Sequence, residues 1–375
     1  MSTRFVNYNN IIDVFFTLVK AGLWEKDTRL PFNDEVDFAK IYNLAEEQSV
    51  IGLLAAGFEQ VVDTKIPKQE LLQFVGTTLQ LEERNKAMNH FVQLLVKKLC
   101  DSGIHAVLIK GQGIAQCYER PLWRSAGDID LFLDCDNYEK AKKCLCRYAV
   151  IDNEDKKRLH LGMTIDGWLV ELHGTMHTDI SPKLDFVIDE VQRDIFLNGG
   201  VRSWNNSGIE VFLPNPDNDA IIVFSHFINH FYEGGIGLRQ ICDWCRLLWT
   251  FREEIDRKKL EKRLNSMRLM AEWKAFSAFA VEYLGMPVEA TPFYDNKNKW
   301  RRKASVLKNI MIETGDLGKN VDDSYRNSSK RLKKNVITFW VRLKEFSRLT
   351  LLFPHNSPRF FVYYVFNRMK NKRVI

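Results

Sequence analysis

No run of this 375-residue sequence approaches ~18 consecutive apolar residues, so no transmembrane helix is predicted. Cysteine is scarce too. Seven residues, irregularly spaced, are too few for a disulfide scaffold and point to a reducing cytoplasm. A secretory signal is not expected, because Met1-Ser2-Thr3-Arg4 runs straight into an amphipathic pattern containing Asp13. Nor does the chain repeat itself. Hydrophobic residues make up 45% and charged residues 27%, which excludes wholesale disorder. At ~150 residues per domain the length suggests two or three domains.

Acidic residues run short in one place. Residues 296–375 hold 20 Lys/Arg against 5 Asp/Glu, while the rest of the chain holds 34 against 43. A slightly acidic body thus carries a basic C-terminal quarter. This predicts an anionic partner (a membrane surface, nucleic acid or a phosphorylated substrate), or else a solvated face that balances the body. The expected location is cytoplasmic, peripheral at the membrane if the anion is lipid. Near the end, Phe360, Phe361, Tyr363, Tyr364 and Phe366 alternate with Arg359, Arg368, Lys370, Lys372 and Arg373. Such a stretch stacks bases, lies on a membrane, or packs as a last helix on the body.

Hydrophobic periodicity divides the chain into four regions. Residues 1–100 read as helical, with Ile11, Ile12, Phe15, Phe16, Val19 and Leu23 on one face, and a long heptad-like helix over 69–100 that ends before Gly103. Residues 101–213 form a small α/β core. Its expected strands are 105–109, 128–133, 160–165 and 168–173, the last two joined by an Asp166-Gly167 turn; helices are expected over 112–119 and 138–148. Residues 214–290 return to helix, over 219–232, 238–251, 254–265 and 270–284, and are expected to close a cleft. Residues 291–375 are the basic helical region, entered through a linker over 286–300. An amphipathic helix there carries Val336, Trp340, Leu343 and Phe346 on one face, with Arg342, Lys344 and Arg348 elsewhere. The expected fold class is α+β, a small mixed-sheet core between N-terminal and C-terminal helical regions.

The chemistry starts at Asp128 and Asp130. Two residues apart on a strand, they share one face at ~7 Å, while Ile129, Leu131 and Leu133 enter a core. Such a pair repels itself unless a divalent cation holds it, so neutralising either acid should leave the fold intact or slightly firmer. Alone the pair is weak, since about six acid-x-acid triples arise by chance at this acid content. Its surroundings sharpen it. Strand 105–109 runs into Lys110-Gly111-Gln112-Gly113 at the start of a helix, where the backbone can approach a phosphate and Lys110 adds a charge. Glu171 and His173 share a face of a later strand, and Glu171 completes a three-carboxylate cluster if that strand pairs beside 128–133.

The run Ile104–Gly111, then Tyr118, Pro121, Arg124, Gly127-Asp128-Ile129-Asp130-Leu131 and Glu171-Leu172-His173, resembles the "uncharacterised nucleotidyltransferase" family of the polymerase-beta-like nucleotidyltransferase superfamily. The resemblance covers roughly residues 40–250 and is strongest at 104–133. It extends to His226–His230 and to Leu238-Arg239 with Asp243. It implies a mixed sheet flanked by helices that binds an NTP and two Mg²⁺ (or Mn²⁺) ions. Asp128 and Asp130 would be metal ligands, and Glu171 the third acid, on the ion that activates an acceptor hydroxyl. Where the superfamily usually carries Gly-Ser or Gly-Gly after its first strand, this chain has Lys110-Gly111.

The activity these residues suggest is nucleotidyl transfer from an NTP to a small-molecule or protein acceptor, with Lys110, Gly111, Gln112 and Arg124 binding the nucleotide. Arg124 has a structural alternative, an ion pair with one of the acids. Two other classes remain open: a nucleotide-binding regulatory or scaffold protein without turnover, and an RNA-directed transferase gripping RNA with the basic tail. His173, His226, His230, Arg239 and Asp243 are candidate cleft residues. His226 and His230 lack the Glu of a zinc-binding His-Glu-x-x-His, so no zinc is expected there. Arg239 and Asp243, four apart, either pair on a helix surface or face the cleft. Cys242 and Cys245 sit inside an amphipathic helix and read as core rather than redox residues, and Cys144 and Cys146 as structural.

Overall fold

A computed structural model of the chain describes residues 8–31, 36–64, 66–178, 180–315, 343–344 and 346–371. The N-terminal helices are α1 (Tyr8–Trp24), α2 (Phe38–Glu47), α3 (Ile51–Glu59) and α4 (Lys68–Asp101). α1 and α3 cross where glycines face each other's backbone. A Cβ on Gly22 would stand 1.8 Å from the Leu53 carbonyl oxygen, and one on Gly57 2.1 Å from that of Leu18. Only two glycines permit so close a crossing. The 34-residue α4 matches the heptad-like stretch, and Gly103 beyond it takes φ +67°.

The α/β part contains β1 (Val107–Ile109), α5 (Gly111–Ala115), β2 (Ile129–Phe132), α6 (Cys135–Leu145), β3 (Val150–Asp155), β4 (His160–Ile165) and β5 (Trp168–His173). The sheet order is β1-β2-β5-β4-β3, with β2 parallel to β5 and every other pair antiparallel. This is the mixed sheet that the sequence predicts. β4 and β5 have the expected bounds, and Asp166 and Gly167 both take positive φ in the turn between them. Alternation along β2 sends Ile129 and Leu131 into a core shared with α4 and α6, through Val92, Leu95, Leu99 and Tyr138. Asp130 and Phe132 point the other way, and Phe132 joins the larger helical core.

After the sheet come α7 (Pro182–Leu197), the hairpin β6 (Val201–Asn206) and β7 (Ile209–Pro214), then α8 (Pro216–Glu233), α9 (Leu238–Thr250), α10 (Arg257–Met267), α11 (Met270–Leu284) and α12 (Asn298–Thr314). Aromatic contacts weld these helices together, Trp244 against Trp273 and Phe224 against both. α1 joins the same core through Phe16 on Phe279. Cys242 and Cys245 are buried in it as free thiols, as an amphipathic helix implies.

Several expectations need correction. The helix expected over 112–119 is only Gly111–Ala115. The stretch read as a linker over 286–300 contains a 3-10 turn (Val288–Ala290) and the first residues of α12. β3, α7, β6 and β7 were not anticipated. Of the expected tail helix, Val336, Trp340 and Arg342 lie outside the described residues, while 346–352 are helical. The last helix, Ser357–Asn371, packs on the body by burying Phe360 edge-on against Tyr232. Among the described residues, no helix is long and apolar enough to cross a membrane.

Candidate active site

Three strands in register build the site. Ile109 of β1 lies opposite Asp130 of β2, and Asp130 lies opposite Glu171 of β5. Asp128, just before β2, leaves on the same face as Asp130, and Glu171 and His173 leave β5 on that face too. Ligand oxygens of Asp128, Asp130 and Glu171 all lie within 4.8 Å of one another. Lys110 follows β1 with φ +57° and ψ −145°, a backbone conformation otherwise typical of glycine. That turn brings its Nζ to 2.9 Å from Asp130 Oδ1 and 3.4 Å from His226 Nδ1.

Three carboxylates therefore share one ammonium, and the neighbours divide them unequally. Asp130 is 2% exposed. Burial pushes its carboxyl up, but the Lys110 charge and the His173 Nε2 contact at 2.8 Å outweigh burial and hold it below its ordinary range. Glu171 is held far down by contacts with His160 Nε2 (3.2 Å) and His173 Nε2 (3.5 Å). Asp128 is pushed up, first by the Asp130 charge and then by burial. A carboxyl raised by its neighbours marks a cluster short of positive charge, which a divalent cation relieves. An all-oxygen donor set is the kind that Mg²⁺ or Mn²⁺ takes, so these residues fit such an ion.

Across the cleft a second charged group is fully matched. Arg124 forks onto Asp243, with Nε on Oδ1 and Nη2 on Oδ2, both at 2.7 Å. The Tyr118 hydroxyl donates to Asp243 Oδ1 at 2.8 Å, and Asn85 Nδ2 donates to the Arg124 carbonyl. Arg124 thus pairs with Asp243, not with the acids of β2. Asp243 in turn pairs with Arg124 rather than with Arg239 on its own helix. Arg239 reaches over the cleft, Nη1 donating to the Ser125 carbonyl at 3.0 Å.

Lys110, Gly111, Arg124, Asp128, Asp130, His226, Arg239 and Asp243 line one open cleft between the sheet and α8–α9. Burial and the Lys110 charge push the His226 imidazole well down, leaving it neutral beside the ammonium. His173 stands against Asp130 and Glu171, outside that lining. His230 packs its ring 4.4 Å from that of His226 and is likewise not a lining residue. Gln112 turns its side chain away, Nε2 donating to Asn89 at 2.7 Å and Asn85 at 3.3 Å. Sequence reasoning missed His160 altogether. Its signal was its place at the head of β4, opposite His173 once the 166–167 turn fixes the hairpin register.

The family model "Uncharacterised nucleotidyltransferase" matches residues 34–285, a span holding every one of these side chains. The chain belongs to that family. Its members' shared description is no more specific than nucleotidyl transfer, and the carboxylate cluster is in keeping with it. Among solved structures, the chain is similar to an antigenic nucleotidyltransferase-like protein from Paracoccidioides brasiliensis, at 15% identity and a TM-score of 0.32, over 55% of this chain and 96% of that one. No curated protein matches the chain.

Proposed function

We propose that this nucleotidyltransferase-family protein moves a nucleoside monophosphate from an NTP to a hydroxyl of a small molecule or another protein, with divalent cations held by Asp128, Asp130 and Glu171. The observation that carries the reading is the convergence of these three acids within 4.8 Å, two of them, Asp128 and Asp130, lining a cleft that also presents Lys110. Cations bound there would stabilise the attacking and leaving oxygens together. The chain's own part is to position and neutralise. Lys110, a flexible ammonium on a fixed turn, can exchange Asp130 for a phosphate oxygen. Arg239 lines the same cleft from α9, where its guanidinium offers a second set of hydrogen-bond donors to phosphate oxygens. Arg124 supports the reading differently from the sequence expectation: locked onto Asp243, it fixes the wall from which Arg239 projects. Neutral His226 lends the Lys110 ammonium an acceptor without adding charge.

The test offers each of the four α-labelled NTPs, with Mg²⁺ or Mn²⁺ and a cell extract, to the wild type and to Asp128→Asn. Label should pass to one acceptor with the wild type alone. Label that never moves under either ion, or moves equally with the variant, would overturn the proposal.

A further inference from the structure

The site contains a second donor set that the three-carboxylate cluster does not account for. β4 and β5 pair with His160 opposite His173, and Glu171 lies two residues before His173 on the same face. His160 Nε2 and His173 Nε2 approach one oxygen, Glu171 Oε2, at 3.2 Å and 3.5 Å. The two rings lie 4.9 Å apart, and all three donor atoms fall within 4.8 Å of one another. Around a tetrahedral ion bound at ~2.0–2.1 Å, neighbouring donors stand about 3.3 Å apart. The two His–Glu separations bracket that value. The side chains of His160, Glu171 and His173 keep 26%, 22% and 12% exposure, so solvent reaches the set.

We propose that His160, Glu171 and His173 form a transition-metal site, distinct from the carboxylate cluster but sharing Glu171 with it. Imidazole donors favour ions such as Zn²⁺ and Co²⁺, whereas Mg²⁺ prefers oxygen. Three protein ligands leave a coordination position for water or a substrate oxygen. Ligation through His173 Nε2 replaces its 2.8 Å contact with Asp130, which keeps Lys110 as its partner. The proposal does not rest on nucleotidyl transfer, since the donors could bind an ion in a chain that transfers nothing.

The experiment titrates chelator-treated full-length protein with Co²⁺ alone, without nucleotide, and follows its visible absorption. Wild type and Asp128→Asn should each bind one Co²⁺ with an imidazole-type spectrum, and His160→Ala should weaken that binding at least tenfold. X-ray absorption on the wild-type complex should count two imidazole ligands, a result independent of how any variant folds. Absence of Co²⁺ binding, a wild-type spectrum in His160→Ala, or an ion without imidazole ligands would each overturn the site. Failure of the labelled-NTP assay with Co²⁺ binding intact would reject nucleotidyl transfer and leave the metal site standing.

Discussion

Two buried charge clusters face each other across one cleft, and they are built on opposite rules. Arg124, Asp243 and Tyr118 are matched in number and geometry: a planar fork meets both carboxylate oxygens, and a phenol takes a further lone pair. Asp128, Asp130 and Glu171 set three carboxylates against Lys110, and one of them is pushed up for want of charge. The first cluster is complete as it stands. The second carries more negative charge than Lys110 offsets. Burial of charge is therefore common to both clusters, and what separates them is the imbalance that the second leaves unrelieved.

The largest expected effect falls on the matched side. Asp243→Asn strands the Arg124 guanidinium in the interior and should lower stability by about 3–5 kcal/mol in urea denaturation, the usual consequence of removing one partner of a buried pair. A loss below ~1 kcal/mol would erase the contrast between the clusters. Asp219 stands between the two cases. Its Oδ2 accepts from Arg202 at 2.8 Å, while Oδ1 has no partner among the described residues, and burial pushes its carboxyl up to about 6. The folded chain then holds that proton more tightly than the unfolded chain does. Its own contribution to stability should be full below pH ~4 and be lost, by up to ~3 kcal/mol, as pH rises through 6. Asp219→Asn should flatten this limb of the pH profile, and a limb that survives would assign it to other groups.

Smaller, and sharper, is the expected split inside the acid cluster. On sequence alone Asp128 and Asp130 are equivalent, and neutralising either should firm the fold. The structure separates them, because Asp130 is the direct partner of Lys110 and His173. Asp130→Asn should cost roughly 1–3 kcal/mol, whereas Asp128→Asn should leave the melting temperature unchanged or raised. Mg²⁺ with NTP should raise the melting temperature of the wild type and raise it less in either variant. Equal melting of both variants would show that Lys110 does not discriminate between the two acids.

Where side-chain alternation and turn chemistry act locally, the fold was legible. Asp166-Gly167 and the period-two runs beside it fixed the β4–β5 hairpin, and the same alternation put Asp128, Asp130 and Glu171 on faces that the sheet then aligned. β3 was invisible because it is an exposed edge strand, Val150-Ile151-Asp152-Asn153-Glu154-Asp155, held by pairing with β4 rather than by burial. α7 does carry a signal in the sequence, Pro182 at the start and Leu184, Val187, Ile188, Val191 and Ile195 on one face. The partners of Arg124 and Gln112 lie 119 and 23 residues away, and no spacing rule reaches across such distances. Long-range pairing decides which polar groups are already committed, and so which remain available for chemistry.

The conformation of Lys110 decides how its mutants should be read. At φ +57° and ψ −145° almost any side chain strains the main chain, by roughly 1–3 kcal/mol, and glycine does not. Lys110→Ala therefore removes the ammonium while keeping the backbone penalty, whereas Lys110→Gly removes both. The glycine variant should be more stable than the alanine variant by about 1 kcal/mol in urea denaturation, while both lose the same affinity for NTP relative to the bare nucleoside. Alanine, the customary blank, confounds two effects at this position; glycine separates the work of the charge from the strain of the turn that holds it.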